Sequence, residues 1–201
     1  MTNVYVRDLS QYAAMREAIG RRVRIGIDFP ADFRAVRPDK IVWVSWDDWT
    51  RELFFSFVSR LSRSLDAQWW GILVTDPDPE KYFHHHFSCY PAILGNELPG
   101  PREYLAAIGA DPGGSPADAI MHNSRTVLVG DSSGRWAGYF NHDYGLGALV
   151  LHDLELPQYP YDAFADPTSA ASALLPDEGT HLTSDPAFKQ LVKNFSATMA
   201  R

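Results

Sequence analysis

The chain has 201 residues, of which 45% are hydrophobic and 13% aromatic, and its formal net charge is −7. The apolar and aromatic content excludes a mostly disordered protein. A chain of this length buries roughly 70% of the surface that it exposes when unfolded, so it needs no disulfide or metal to fold. No apolar run approaches the roughly 20 residues that span a bilayer, and a single cysteine, Cys89, excludes an internal disulfide. Residues 1–8 lack the apolar core of a signal peptide. We therefore expect one cytoplasmic domain over residues 1–201, with no membrane contact.

Charge is distributed unevenly along the sequence. Residues 64–188 contain four basic against 17 acidic side chains, whereas the segments on either side carry a small basic excess. Clustered lysine and arginine bind nucleic-acid phosphates, so the acidic middle of the chain argues against a nucleic-acid partner. An acidic surface attracts a basic protein or a cationic ligand. The charge pattern therefore predicts a basic protein partner, although moderate net charge also serves solubility alone.

The first predicted elements are three strands and one helix. Residues 3–7 are a candidate strand, and apolar positions at helical spacing predict a helix over 9–20 that ends at Gly20. Alternating apolar and polar residues predict a strand over 23–27, and a short apolar run predicts another over 41–44.

The strongest helical signal follows at Ser45-Trp46-Asp47-Asp48, a capping pattern in which Ser45 or Asp47 is the cap. It predicts one amphipathic helix of about five turns. The apolar positions of this helix recur every four residues, at Trp49, Leu53, Phe57, Leu61 and Leu65.

The middle of the chain contains one predicted strand and three short helices. The strand covers 69–74, where adjacent Trp69 and Trp70 must face opposite sides of the sheet. The short helices are predicted over residues 80–87, 101–108 and 115–123.

The last third begins with a hairpin. Strands over 126–130 and 135–140 flank a short loop, and the apolar segment 145–151 is ambiguous between helix and strand. Residues 157–186 hold five prolines and predict an irregular segment, either a packed strap or a binding element. An amphipathic helix is expected over 186–200. Strands and helices mix without a βαβ alternation, which predicts an α+β fold with a mixed or antiparallel sheet.

Three consecutive histidines at 84–86 are the first candidate for chemistry. Imidazoles bind transition metals, and Glu80 precedes His84 by one helical turn. A polar helix end between two phenylalanines explains the same run without a metal. The candidate metal ligands are His84, His86 and Glu80. A metal-dependent hydrolase that uses this region with Asp76 or Asp78 is therefore the alternative function.

A second candidate is the run Gly130-Asp131-Ser132-Ser133-Gly134, which is close to the GDSGG stretch around the nucleophile of chymotrypsin-like proteases. Those proteases are built from β-barrels, whereas this chain has convincing helices. We interpret the run as a hairpin loop in which Asp131 and serine bond locally and Gly134 takes a positive φ. The sequence contains no GxGxxG or GxxxxGK[ST] motif, so we predict neither a cofactor nor a catalytic residue.

Residues 125–151 carry a resemblance to a functional class. The pattern is Thr126-Val127-Leu128-Val129-Gly130, then Ser133-Gly134-Arg135-Trp136-Ala137-Gly138-Tyr139-Phe140, then Asp143 and the apolar 145–151. It resembles the architecture of many bacterial immunity proteins, which neutralise a cognate toxin by binding it. The resemblance implies a small, acidic, cytoplasmic α+β domain without cofactors.

Together these observations predict a non-catalytic domain that binds a basic protein partner, with a toxin as the implied partner. A domain with a small-molecule pocket would have the same composition. The predicted partner-binding residues are Asp76, Asp78, Glu80, Asp131, Asp143, Trp136 and Tyr139.

Overall fold

Strands and helices alternate irregularly along the chain. The computed structural model describes residues 4–29, 31–114, 116–175 and 179–196, and within them it contains six strands and seven α-helices. The strands are β1 (Lys40–Ser45), β2 (Trp70–Asp76), β3 (Ala92–Leu94), β4 (Thr126–Asp131), β5 (Trp136–Asn141) and β6 (Leu146–Leu151). The helices are α1 (Leu9–Gly20), α2 (Glu52–Ser64), α3 (His85–Phe87), α4 (Pro101–Ile108), α5 (Pro167–Leu174), α6 (Gly179–Ser184) and α7 (Pro186–Ser196). None of the helices in these ranges is long and apolar enough to cross a membrane.

The six strands form one sheet in the order β1-β6-β5-β4-β2-β3. Every neighbouring pair is antiparallel. The segment 145–151, ambiguous in the sequence, is β6, which completes a meander with β4 and β5. The predicted α+β class is confirmed, and the sheet is antiparallel.

The sheet is buried on both faces. One face packs against α2 and α4, and we call it the α2 face; the other packs against α1, α5 and α7, and we call it the α1 face. Alternate residues of β4 illustrate the division, since Val127 and Val129 lie on the α2 face and Leu128 on the α1 face. Double coverage explains why every residue of β4, β5 and β6 is buried. It also places Trp70 on the α2 face and the half-buried Trp69 on the α1 face, as the alternation of a strand predicts.

Two of the predicted strands are wrong. Residues 23–27 form only one isolated bridge, from Val23 to Arg34. Their alternation instead lets Val23, Ile25 and Ile27 pack as a loop against the α1 face. Near the start of the described chain, the backbone of Val6 bonds to Tyr90 and Ala92 without forming a strand.

The long helix predicted after β1 is confirmed over Glu52–Ser64 and wrong at its start. A 3-10 turn, Trp46–Thr50, follows β1, and the backbone at Arg51 is extended (φ −113°, ψ 152°) before α2 begins at Glu52. Ser45 is the cap, as its oxygen accepts the amide of Asp47 at 3.3 Å. The break buries Trp46 and Trp49 beside α2 and turns Leu53 outward, where it is 54% exposed. The buried positions of α2 are Phe54, Phe55, Phe57, Val58, Leu61 and Ser62.

Among the described residues of the segment 157–186, the long irregular stretch ends at residue 166. Beyond it lie α5 and α6, so the prediction of a long irregular strap is wrong over that part. The missed signal is a cap, because the Asp166 carboxylate accepts the Ser169 amide at 2.8 Å and Pro167 opens α5. The irregular part pairs with the edge strand β1 through Trp43 and Phe164.

The remaining helices follow the sequence closely, with one exception. The helix predicted over 115–123 shrinks to a 3-10 turn, Pro116–Asp118. The proposed capping residue Ser115 lies outside the described residues. The predicted terminal helix corresponds to α7, and residues 197–200 of that prediction also lie outside the described residues.

Candidate functional site

One end of the sheet gathers acidic side chains that are far apart in sequence. The antiparallel register places Ser45, Leu146, Asn141, Thr126 and Asp76 in one row at this end. The chain segments that leave this row carry further carboxylates. We call this region the acidic end and define it by Asp47, Asp76, Asp78, Glu80 and Asp143. Four of the five predicted acidic contact residues therefore lie at the same end of the sheet.

Arg125 links two of these carboxylates. Its guanidinium donates to Asp143 and lies 3.7 Å from Asp76, because the residue before β4 lies beside the last residue of β2 and the turn after β5. The bond from Arg125 lowers the pKa of Asp143 below its usual range and keeps that carboxylate ionised. All three side chains stay substantially exposed. The group is therefore accessible to solvent without any opening of the core.

Asp78 and Glu80 follow β2 at the start of a short π-helical turn, Pro79–His84. The carboxylate of Asp78 caps this turn by accepting the amides of Glu80 and Lys81, each at 2.9 Å, which lowers its pKa. Glu80 is exposed and lies 3.9 Å from Arg16 of α1. Asp78 thus combines a structural role with an exposed negative charge.

An open cleft of about 370 Å³ borders the acidic end. Its lining includes Trp46, Asp47, His122, Arg125 and His142. The indole of Trp46 is buried and contacts the imidazole of His142 edge to face, with ring centroids 5.5 Å apart. The cleft therefore has a fixed aromatic wall beside exposed, hydrogen-bonding side chains.

The three histidines at 84–86 all face solvent. The ring of His84 stacks on Tyr90 at 4.8 Å, and His86 lies against Tyr82. In the part of the chain that the structure describes, no three His, Cys, Asp or Glu side chains group closely enough to hold a metal ion. The candidate ligands His84, His86 and Glu80 therefore do not form such a group.

Three predicted contact residues lie inside the protein. Trp136 and Asp131 are fully buried, and Tyr139 is 1% exposed. The indole N–H of Trp136 donates to Asp131 at 2.7 Å, at the opposite end of the sheet from the acidic end. The Tyr139 hydroxyl donates to the Ile27 carbonyl at 3.1 Å. The prediction that these side chains contact a partner is corrected, since their polar groups bond within the core.

The serine run at 130–134 is a hairpin loop. Asp131 accepts the amide of Ser133 at 2.9 Å, Ser132 accepts the amide of Gln68 at 2.7 Å, and Gly134 has a φ of +60°. These local bonds confirm the interpretation as a turn. Cys89, the free thiol, is buried.

Sequence reasoning missed two members of the site. The first is Arg125, which precedes the predicted hairpin and pairs with Asp143, a predicted contact residue that follows it. Asp48 was seen only as part of a capping pattern, yet it is 1% exposed. Its carboxylate accepts the Tyr159 hydroxyl at 3.0 Å and the Ser45 amide at 3.3 Å, and burial raises its pKa to about 6. The contact with Tyr159 joins residues 111 positions apart, which no local pattern reveals.

Comparison of the chain with protein-family models, curated proteins and solved structures finds no match.

Proposed function

We propose that this chain is a cytoplasmic protein-binding domain that docks a basic protein through the acidic end, and that it acts as an immunity protein whose partner is a toxin. The observation that carries the proposal is the convergence of carboxylates from three separate segments, at 47, 76–80 and 143, on one end of the sheet. Among the described residues, the five carboxylates of the acidic end have three lysine or arginine neighbours within 4 Å, Arg16, Lys81 and Arg125, and Arg125 is shared between two of them. Clustered charge of one sign steers a partner of the opposite sign.

The alternative of a metal-dependent hydrolase has less support. Its candidate ligands are exposed, and they form no three-ligand group in the described ranges of the chain. The toxin assignment rests on the pattern over 125–151, which forms the meander β4-β5-β6.

The first experiment identifies the partner. The tagged protein is used to capture proteins from its native host at low salt, and bound proteins are eluted with a salt step and identified by mass spectrometry. We expect one basic protein near a one-to-one ratio. The salt step should release it, because salt screens the pairing between exposed charges. Capture of only neutral or acidic proteins would contradict the proposal, and so would a captured protein that the salt step does not release.

Neutralising the acidic end should slow association with that partner. In the double variant Asp76→Asn/Asp143→Asn we expect the association rate constant to fall by about fivefold at low salt, because steering depends on local charge. Stopped-flow kinetics over a range of salt concentrations measure this effect. Asp66→Asn is the matched control, since Asp66 is exposed after α2 at the opposite end of the sheet. Equal association rate constants for the two variants would show that the acidic end is not part of the interface.

Removing Arg125 should act in the opposite direction. Arg125→Gln leaves Asp76 and Asp143 without their shared guanidinium, so local negative charge increases. We expect association to accelerate by about two- to threefold at low salt, measured in the same stopped-flow assay. A decrease in rate would instead mean that Arg125 contacts the partner directly.

A further inference from the structure

A second cavity opens on the other side of Asp47 from the cleft of His142. It has a volume of about 340 Å³ and lies between the 3-10 turn after β1 and the irregular chain before α5. We call it the acidic cavity and define it by its lining residues Asp47, Asp48, Arg51, Tyr161 and Asp162. Three carboxylates and one guanidinium therefore share this space.

Asp48 is the buried member of the acidic cavity. Its Oδ2 accepts two hydrogen bonds, from Tyr159 and from the amide of Ser45. Its Oδ1 is buried and accepts no hydrogen bond; the nearest cation is Arg51, whose Nη1 lies 3.4 Å away. A buried carboxylate is costly unless opposite charge and hydrogen bonds compensate it. The compensation is incomplete, since the pKa of Asp48 stays raised at about 6 in the presence of Arg51.

Arg51 does not fill the acidic cavity, so a second positive charge can enter it. Its side chain is half-exposed, and its guanidinium lies over the ring of Tyr161 at 5.2 Å. Asp47 and Asp162 are exposed at the mouth of the cavity, and neither has an ion pair among the described residues. The acids of this cavity do not group closely enough to hold a metal ion. The cavity that they line has a volume of about 340 Å³.

We propose that the acidic cavity receives one lysine or arginine side chain of the basic partner, which pairs with Asp47 and Asp162 and brings its charge close to Asp48. This inference rests on the proposed function and names the anchor point of the interface. An anchoring side chain in a partly enclosed cavity contributes more to binding than charges on the exposed rim.

Side-chain analogues test the cavity without the partner. The carboxyl carbons of the full chain are labelled with ¹³C, and the titration of Asp48 is followed by NMR with and without Nα-acetyl-lysine methylamide or Nα-acetyl-arginine methylamide. At matched ionic strength we expect the titration midpoint of Asp48 to fall by about one pH unit with a bound cation, because an opposite charge favours the carboxylate. The two analogues distinguish lysine from arginine. Nα-acetyl-norleucine methylamide is the uncharged control and should leave the midpoint unchanged.

Asp162→Asn should abolish the shift, whereas Asp153→Asn should retain it. Asp153 is 92% exposed at the opposite end of the sheet, and its positive φ of 47° is one that asparagine tolerates. The inference would be overturned if neither cation changes the titration midpoint of Asp48, or if Nα-acetyl-norleucine methylamide changes it equally.

Binding measurements with the isolated partner distinguish failure of this inference from failure of the proposed function. If it binds the wild-type chain, Asp47→Asn/Asp162→Asn should weaken binding by about tenfold or more relative to Asp153→Asn. Equal affinities would overturn the cavity as anchor and leave the proposed function standing. Absence of any basic partner would overturn the proposed function, while the NMR titration still decides whether the cavity binds a cation.

Discussion

Replacing Trp136 with alanine should lower the free energy of unfolding by about 3–5 kcal/mol, the range for large aromatic side chains removed from a core. Trp136 is fully buried on the central strand β5, and its N–H bonds to the equally buried Asp131. The substitution therefore leaves both a cavity and a buried carboxylate oxygen without its donor. Urea denaturation followed by circular dichroism measures the loss.

Trp69→Ala is the matched control for this effect. Trp69 is only half-buried before β2, so less apolar surface is lost and no core hydrogen bond is broken. We expect about 1–2 kcal/mol for this variant. Losses of equal size in the two variants would contradict the central position assigned to Trp136. Where the Trp136 variant remains folded, its association rate constant should match that of wild type, because its ring lies away from the acidic end.

The second large effect is a dependence of stability on pH through Asp48. Burial raises the folded-state pKa of Asp48 from 3.8 to about 6, partly offset by the hydrogen bond from Tyr159. Between these two values the folded state binds a proton that the unfolded state releases. Stability from this group therefore increases as pH decreases. From about pH 7.5 to about pH 4.5, wild type should gain about 2 kcal/mol relative to Asp48→Asn.

Denaturant unfolding of both proteins across this pH range tests the expectation. Asparagine keeps the shape and the acceptor for Tyr159 but cannot ionise, so the difference between the two proteins isolates Asp48. The matched control is Asp66→Asn, which removes one exposed carboxylate, and the pH dependence for Asp48→Asn is compared with that for this variant. A difference that stays constant for Asp48→Asn, or that favours wild type at high pH, would contradict the burial of an ionisable carboxyl at this position.

Local patterns predicted much of the fold. The hairpin of β4 and β5, the short helix α4 and the terminal helix α7 each depend on neighbouring residues, and the structure places them where the sequence did. The long helix failed because the burial of Trp46 and Trp49 against the sheet overrides the helical spacing and breaks the chain at Arg51. The spacing alone contains no information about that contact.

The candidate site was likewise predicted only in part. Acidic composition was sufficient to nominate Asp76, Asp78, Glu80 and Asp143, and the register of the sheet then brings them together. Composition could not distinguish these exposed carboxylates from Asp131, which forms a hydrogen bond within the core. Nor could it reveal the acidic cavity, because Asp48 and Asp162 meet only after residues 159–166 cross the start of α2.

The pairing of β1 with β6 has a consequence for synthesis of the chain. These strands lie roughly a hundred residues apart in sequence, so β1 leaves the ribosome long before its partner exists. The meander β4-β5-β6 consists of local contacts and can form early, whereas contacts of long sequence separation form slowly. Asp47 reaches Asp143 only when β1 has docked on β6. A nascent or truncated chain therefore lacks the complete acidic end, which forms only on molecules that have finished folding.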